Sequence, residues 1–413
     1  MTTDIGAQID AHIDEAEIVE LMRRLHQHQS FPPYEASAMA ELQSWLAERG
    51  INADLIDLAD EPSRPNLFYR MEGTGGGKNV MFNGHMDIDP VPMNFEGDPW
   101  EFKIEDGKVY GHGLVNMKSG VAAAAAAFIA LHRAGIPMRG DVLMTAVVGE
   151  LQGGSGAVDL VQRGLLGDVC IIPEPSDMEL LLLHAGAIQF LVHTYGESAW
   201  IGAMHNMKHV NAAENLARIV IALKDFEFDS PRREEFPGLP RLIVGGINGG
   251  IGRQYAHWRA SYVPDFASAI LEVRGLPEQD YDDIQRQIED VIRSVADGDP
   301  DFKWEIERPP ATNAPEWQSL KTEAYGIDLP LEHFLNQTIA KHHREVRNED
   351  PGWMSSNAWA DSGHFTNAGC VSVCYGPSAQ RMFMREYGVE VKWVVDCAKI
   401  IARAAVDIAN MDK

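Results

Sequence analysis

Positive charge is scarce in this 413-residue sequence, which has 35 lysines and arginines against 61 aspartates and glutamates. The formal net charge is −26. Such an excess of negative charge repels the phosphates of nucleic acids and anionic membrane surfaces. The composition therefore argues against both as general partners, although local arginines can still bind an anionic substrate.

Cysteines and long apolar runs are also few. Cys170, Cys370, Cys374 and Cys397 form no CxxC pair and give no disulfide density. The longest apolar candidate, Ala122–Ile129, is well short of the ~20 residues that span a bilayer. No basic N-terminal region is followed by an apolar one, so no secretory signal is predicted. We expect a cytoplasmic protein with reduced, buried thiols.

The length of the chain predicts two compact units. In the first, apolar spacing predicts helices at three places: Asp10–His28, Ala36–Arg49 and Gly120–Arg133. Short apolar segments predict strands at four: Asn79–Phe82, Asp141–Val148, Cys170–Pro173 and Cys370–Tyr375. Strands that alternate with helices indicate an α/β domain with a mainly parallel sheet, assigned to residues 1–185 and 309–413.

The middle of the chain, residues 186–308, has a different pattern. Strands are predicted at Ile188–Thr194 and Ser268–Arg274, and helices at Asn211–Asp225 and Tyr281–Asp297. We interpret this part as a smaller α+β domain inserted into the first, with the proline-rich segment Arg308–Pro315 as the return.

Three polar residues follow predicted strands directly: His85, Glu150 and Glu174. Each alone is typical of a solvated loop, but all three lie in glycine-rich contexts. Ligands of parallel sheets bind beyond the carboxyl ends of the strands, so these side chains are expected to converge. Imidazole is a good metal ligand, and the nearby Asp87 can fix its tautomer.

Five segments together resemble a known family. They are Gly84–Asp87 (GHMD), Tyr110–Gly120 (YGHGLVNMKSG), Gly149–Ala157 (GELQGGSGA), Pro173–Ser176 (PEPS) and Tyr375–Ser378 (YGPS). Their order resembles the metallopeptidase family of carboxypeptidase G, succinyl-diaminopimelate desuccinylase, acetylornithine deacetylase and aminoacylase-1. The pattern of that family runs GHxDxVP, GRGxxDMKGG, EExGGxGA, EPT and a late GPG followed by histidine. The resemblance implies a two-metal site in the main domain and an inserted domain that dimerises and covers the substrate.

The resemblance assigns a role to four residues. It makes His85 a metal ligand, Asp87 the carboxylate that orients this histidine, and Glu150 the general base. Glu174 becomes the carboxylate that shares a metal with His85.

The sequence departs from the family at three positions. Asn116 stands where the family has the aspartate that bridges both metals, and Leu151 stands where a second glutamate binds the other metal. No histidine occurs near Met382–Met384, where the family has its last metal ligand. We therefore expect one labile divalent ion (manganese, zinc or cobalt) on His85, Asn116 and Glu174. The alternative is that Asn116 is a loop residue and no metal binds.

The inserted domain departs as well. Trp200 lies four residues after Gly196, at the position where the family's GxxxH has a histidine that stabilises an oxyanion. Loss of such a donor costs about 2.7–4 kcal/mol of transition-state stabilisation, unless His205 or His209 replaces it. Both histidines are equally compatible with a solvated helix start. A tryptophan instead offers a flat face to an aromatic substrate.

Further candidates for substrate binding are His364 and three arginines, Arg253, Arg259 and Arg381. Arginines can bind a substrate carboxylate, although each is also compatible with an ordinary surface position. For His364 a structural role is the alternative.

The leading hypothesis is a metal-dependent hydrolase of a C–N bond that cleaves the amide of an N-acyl or peptide-like small molecule. One ion activates water and Glu150 takes its proton. One alternative is an aminohydrolase that removes the amino group of an electron-poor aromatic amine such as a nitroanthranilate. Another is an inactive binding protein of the same fold. Homo-oligomerisation through the inserted domain is expected by resemblance.

Overall fold

The computed structural model describes residues 5–95, 97–308, 323–378 and 388–413. The chain divides into two compact units. The first falls within Met1–His184, Ile327–Ser356 and Ala360–Lys413, and the second within Ala185–Gly326 and Asn357–Trp359. The second unit thus starts one residue before the boundary predicted from sequence. It also includes Glu323–Gly326 and the short segment Asn357–Trp359, which the sequence interpretation placed in the first domain.

The first unit is an α/β domain. Its helices are α1 (Ile5–Asp10), α2 (Glu15–His26), α3 (Ala36–Ala47), α4 (Ser119–Ala134), α5 (Ser155–Arg163), α8 (Phe334–Arg347), α9 (Ser362–Asn367) and α10 (Val391–Ala409). Its strands are β1 (Asp54–Asp57), β2 (Pro65–Met71), β3 (Val80–Phe82), β4 (Lys103–Glu105), β5 (Lys108–Tyr110), β6 (Val142–Ala146), β7 (Val169–Ile172), β8 (Leu180–His184), β13 (Ile327–Asp328), β14 (Trp353–Ser356), β15 (Val371–Cys374) and β16 (Val389–Glu390).

The main sheet of this unit has the order β1-β2-β6-β3-β7-β15-β8-β13, with β14 beside β8. Its centre is parallel, because β3 pairs in parallel with both β6 and β7, and β7 pairs in parallel with β15. The edge pairs β1–β2 and β8–β13 are antiparallel. The predicted mainly parallel α/β architecture is confirmed, and the carboxyl ends of β3, β6 and β7 lie at one edge of the sheet.

Helix α4 is the central helix of the first unit. Six of its eight alanines are buried, and it packs beside α10 and α2. The stretch Leu114–Ala134 is long and apolar enough to cross a membrane, so the expectation that no segment approaches that length is wrong. However, 83% of the apolar window is buried inside the protein, which is the situation of a core helix.

Small residues let α4 approach the end of β7. A Cβ atom on Gly120 would lie 2.0 Å from the carbonyl oxygen of Pro173, well inside van der Waals contact. Gly376 makes a similar approach, with its would-be Cβ 2.2 Å from the carbonyl oxygen of Glu174. The backbone that carries Glu174 is therefore held on two sides by glycines.

In its described residues the second unit has an antiparallel sheet of the order β10-β11-β9-β12 and two α-helices. The strands are β9 (Gly186–Tyr195), β10 (Arg241–Gly250), β11 (Phe266–Gly275) and β12 (Lys303–Glu307), and the helices are α6 (Ala212–Leu223) and α7 (Tyr281–Ala296). Side chains of β9 and β11 and the apolar stripes of both helices form one core. The predicted α+β character is confirmed.

Candidate active site

His85 lies directly beyond β3 at the carboxyl edge of the main sheet. The β3–β6 ladder continues one step further through a parallel bridge between His85 and Val147, which fixes the backbone there. The Nδ1 atom of His85 donates a hydrogen bond to the backbone oxygen of Asp87 over 2.9 Å, and the Asp87 carboxylate lies 3.5 Å away. The proton is thus held on Nδ1, and Nε2 of the neutral ring is left as a lone-pair donor.

Three oxygen atoms face this Nε2 atom. Oδ1 of Asn116 is 3.1 Å away, Oε1 of Glu174 is 3.6 Å away and Oε2 of Glu150 is 4.0 Å away. An unprotonated imidazole nitrogen and three acceptor oxygens repel one another unless a cation lies among them. The arrangement therefore suits either a proton on the ring or a metal ion.

The donor atoms fit a divalent ion. Nitrogen and oxygen ligands lie about 2.0–2.2 Å from zinc, so two neighbouring ligands are about 3.0–3.5 Å apart. The distances from His85 Nε2 to Asn116 Oδ1 and Glu174 Oε1, 3.1 and 3.6 Å, are close to this spacing. Within the described ranges, His, Cys, Asp and Glu side chains alone form no group of three that could hold a metal. A set of three ligands around His85 would have to include the Asn116 amide.

The electrostatics of the site also favour a cation. Burial opposes charge on the His85 ring, but the surrounding Glu174, Asp87 and Glu150 together raise its pKa well above the usual value. Burial raises the pKa of Glu150 well above its usual value and also raises that of Glu174, with the His85 charge opposing both. Buried carboxylates around one imidazole lower the energy of any positive charge placed between them.

Glu150 is presented on a short turn after β6. Gly149 has a φ of 69°, and Glu150–Gln152 form one 3₁₀ turn. The carboxylate of Asp87 accepts hydrogen bonds from the backbone N–H of Glu150 (3.1 Å) and of Leu151 (2.8 Å). Asp87 thus contacts His85 with its backbone oxygen and the Glu150 turn with its carboxylate, a wider contact set than the orienting role predicted from sequence.

His364 supports the other side of the same turn. Its Nε2 atom donates to the backbone oxygen of Gly153 over 2.9 Å. Gly154 has a φ of 76°, and a Cβ atom there would lie 2.6 Å from the His364 ring. Burial lowers the pKa of His364 to about 4, so the ring is neutral at physiological pH. In the described structure His364 is a packing partner of the turn.

Sequence reasoning missed Asp361. This buried side chain lies near the cluster, where burial raises its pKa to about 8 and the His85 charge opposes the shift. Asn83 donates to its Oδ2 over 3.5 Å, and no partner for Oδ1 occurs in the described part of the chain. Asp361 lies outside the five segments that resemble the family, so its carboxylate attracted no assignment.

The second unit carries five of the remaining candidates. One of them, Arg259, is exposed and lies over the Tyr262 ring at 5.3 Å. Trp200 is 49% exposed and forms a β-bridge with Tyr262. His205 and His209 are exposed, and the exposed Arg253 stacks over the Phe266 ring at 4.8 Å. Arg381 and the segment Met382–Met384 lie outside the described residues.

The described parts of this site define a class of protein. A buried histidine and a buried carboxylate lie beyond the carboxyl ends of parallel strands, an amide faces the histidine, and a second carboxylate lies on a glycine turn. These are the components of a metal-dependent hydrolase.

The chain belongs to peptidase family M20/M25/M40, whose sequence pattern matches residues 81–407. It is 25% identical to the N-formyl-4-amino-5-aminomethyl-2-methylpyrimidine deformylase of Bacillus subtilis, over 93% of each chain. It is 26% identical to a probable succinyl-diaminopimelate desuccinylase of Staphylococcus epidermidis, over 69% of this chain and 74% of the other. The fold resembles that of the dipeptidase Dug1p from Saccharomyces cerevisiae, with a TM-score of 0.75, 12% identity and 99% of both chains covered.

These relationships establish the general activity. The protein is a metal-dependent hydrolase that acts on C–N bonds, and hydrolysis of an amide is the reaction supported by its relatives.

Proposed function

We propose that the protein hydrolyses the amide of an N-acylated small molecule with a single divalent ion held by His85, Asn116 and Glu174. One observation carries the proposal: Oδ1 of Asn116 and Oε1 of Glu174 both face the lone pair of His85 Nε2. The side chains of His85 and Glu174 are buried and that of Asn116 is half-buried, which limits the access of bulk water to the ion.

A single ion is proposed because the residues for a second one are missing from the described site. The amide of Asn116 is neutral and binds through one oxygen, whereas a bridging carboxylate has two charged oxygens. Leu151 offers no ligand at all. One imidazole, one amide oxygen and one carboxylate form a weak set with open positions, and we expect manganese, zinc or cobalt to exchange readily.

The residues divide the work of hydrolysis among them. When bound, a divalent ion supplies Lewis acidity to the amide carbonyl and to a water molecule. Glu150 takes the proton of the water, and its raised pKa makes it a stronger base than an exposed glutamate. The same carboxyl group then protonates the leaving nitrogen. Asp87 fixes the positions of His85 and of the Glu150 turn relative to each other through its hydrogen bonds to both.

Two observations support an aromatic substrate. Trp200 exposes about half of its surface beside Tyr262, and such rings bind planar ligands by stacking. The B. subtilis relative is named for a formylated aminopyrimidine. We therefore propose short N-acyl derivatives of heteroaromatic amines as the substrate class.

We also propose that two copies associate through β10. This strand is an edge of the second unit's sheet, and Ile243 and Ile247 on it are 55% and 61% exposed. An exposed apolar edge strand is a template for pairing with a second copy. Light scattering of the wild type and of Ile243→Lys tests this, and a monomeric wild type would refute it.

The metal proposal is tested by metal analysis and an amide substrate panel. His85→Ala and Glu174→Ala should lose the ion and turnover together, whereas Glu150→Gln should retain the ion and lose turnover. Glu20→Ala, which removes an exposed carboxylate of α2, is the matched control and should behave as wild type. Two ions per chain, or an unchanged metal content in Glu174→Ala, would refute the assignment. Release of ammonia without a carboxylic acid product would identify deamination instead.

A further inference from the structure

The connection between β10 and β11 is a long loop within the second unit. Residues 251–265, the β10–β11 loop, lie outside both strands and contain one short 3₁₀ turn, His257–Arg259. A loop of this length in a compact domain keeps one conformation only where contacts compensate the entropy of ordering it. Its side chains include Trp258, which is 86% exposed. The contacts that hold its backbone therefore determine where its exposed side chains lie.

The last part of this loop holds the aromatic pair Trp200 and Tyr262. The two residues form a β-bridge. On either side of the bridge, the backbone N–H groups of Ile201 and Val263 each donate a 2.9 Å hydrogen bond to a backbone oxygen of the opposite segment. The segment that carries Trp200 thus has its backbone partner in the β10–β11 loop. Movement of the loop would change the arrangement of the two rings.

The middle of the loop is anchored to the sheet by Tyr255. Its side chain is only 7% exposed, and its hydroxyl donates to Oγ of Ser268 on β11 over 2.8 Å. The same Oγ atom lies 2.6 Å from Nδ1 of the buried His193 on β9. The Tyr255 ring is also stacked beside Phe266, with 5.5 Å between ring centroids. One hydroxyl group therefore connects the loop to two adjacent strands, and its loss would leave buried polar groups with fewer partners.

The backbone of Tyr255 is strained. Its φ is 51°, in the left-handed region that residues with a Cβ atom rarely adopt. The chain also folds back closely at this point, because a Cβ atom on Gly250 would lie 2.7 Å from the carbonyl carbon of Tyr255. Strained residues of this kind persist where the surrounding contacts hold them, and they are frequent at functional sites.

We infer that Tyr255 is a positioning residue for substrate recognition. Its hydroxyl, through Ser268, holds the β10–β11 loop so that Tyr262 and Trp200 form one aromatic face for the ring of the substrate. The inference rests on the proposed aromatic substrate class and deepens it, since it names the residue that keeps this face assembled. Tyr255 is buried and acts through the loop.

Residue-resolved hydrogen exchange tests the anchor without any substrate. Tyr255→Phe keeps the ring and removes the hydroxyl. Exchange at the backbone N–H groups of Ile201 and Val263 should accelerate by about 5-fold, the factor that corresponds to one hydrogen bond. Tyr34→Phe, at a tyrosine that is 73% exposed in the first unit, is the matched control and should exchange as wild type. Unchanged exchange in Tyr255→Phe would overturn the inference.

Steady-state hydrolysis of formanilide and N-butylformamide separates recognition of the ring from the chemical step. Both probes are N-formyl amines, and only formanilide is aromatic. Tyr255→Phe should raise KM for formanilide by about 3- to 10-fold, the range that corresponds to one aromatic contact, with kcat retained. The constants for N-butylformamide should not change. A purely structural role would lower the Tm and leave the ratio of the two KM values at its wild-type value, which would refute the role in recognition.

Two further variants separate the possible failures. Ser268→Ala should also raise KM for formanilide, and the double variant with Tyr255→Phe should match Ser268→Ala alone, because the hydroxyl of Tyr255 acts through Ser268. Additive losses would overturn this route. An unchanged KM for formanilide in Trp200→Ala, or no hydrolysis of formanilide by the wild type, would refute the proposed substrate class, and hydrogen exchange would then decide the role of Tyr255. A raised KM in Trp200→Ala beside a wild-type KM in Tyr255→Phe would refute only the role of Tyr255.

Discussion

The backbone N–H of Leu151 donates a hydrogen bond of 2.8 Å to the carboxylate of Asp87. Leu151 stands where the resembled family has a second metal-binding glutamate. A leucine side chain has no donor atom, so it cannot serve as a metal ligand. Its backbone nevertheless remains part of the site, since it holds Asp87 against the turn that carries Glu150. Residue 151 therefore has a structural role through its backbone and no role as a metal ligand.

Asp87→Asn is expected to lower kcat by about 100-fold, because a small displacement of a catalytic group has effects of this size. An asparagine presents one acceptor and one donor, and the donor would face a backbone N–H. Metal content, measured by elemental analysis, should remain that of wild type, since the backbone oxygen of residue 87 still orients His85. Loss of the ion together with activity would contradict this separation of roles.

Gly154→Ala is expected to destabilise the protein by more than the cost of a left-handed alanine, which is about 1–3 kcal/mol. The new Cβ atom would lie 2.6 Å from the His364 ring, in addition to the strain of a φ of 76°. Gly164→Ala is the matched control, because its φ is 68° and nothing lies within 4 Å of its would-be Cβ. Urea unfolding of both variants measures the difference, and equal losses would show that the His364 contact is unimportant.

The first unit should become less stable as the pH is lowered, because of His343. Its Nδ1 atom lies 2.7 Å from the Tyr375 hydroxyl, and burial together with the Arg347 charge lowers the pKa of His343 to about 4. The ordinary pKa is about 6.5, so the unfolded chain takes up a proton before the folded one. The contribution to stability is complete above pH 6.5 and is lost as the pH falls toward 4.

This pH dependence can be measured by urea unfolding at pH 7 and at pH 4.5. His343→Gln should reduce the difference in unfolding free energy between the two pH values, because glutamine does not titrate. His205→Gln, at an exposed position, should leave the difference unchanged. An identical slope in His343→Gln and wild type would show that other groups control the acid transition.

Removal of metal should affect local order near the site more than the sheet. We expect a chelator to lower the Tm only modestly, because His85 and Glu174 lie just beyond buried strands whose pairing needs no ion. Hydrogen exchange should accelerate around Asn116, whose loop has no strand partner. Global unfolding on chelation would contradict this expectation.

Local periodicity was sufficient to predict much of the fold. Helix α4 and strands β3, β6 and β7 were expected within a few residues of their observed bounds, because each is a simple apolar segment with a glycine or polar stop. Strand β10 was not predicted, since its sequence RLIVGGINGG contains four glycines and resembles a loop. Its strand conformation comes from pairing with β11, which no local pattern reveals.

Only those site residues could be predicted whose neighbours in the sequence already mark them as functional. His85, Glu150 and Glu174 could be found because each follows a strand directly. Asp361 could not, because its partner Asn83 lies 278 residues earlier and becomes a neighbour only through the fold.

The close approach between Gly120 and Pro173 couples the position of helix α4 to the position of Glu174. With a hydrogen atom as the only spacer, any slide of α4 along its axis would push the carbonyl of Pro173 and shift the neighbouring Glu174. Substitutions of the buried alanines of α4 should therefore alter the affinity for the proposed ion through the position of Glu174, without a direct contact to it. The small side chains of α4 thus set the position of Glu174 and, through it, the affinity for the proposed ion.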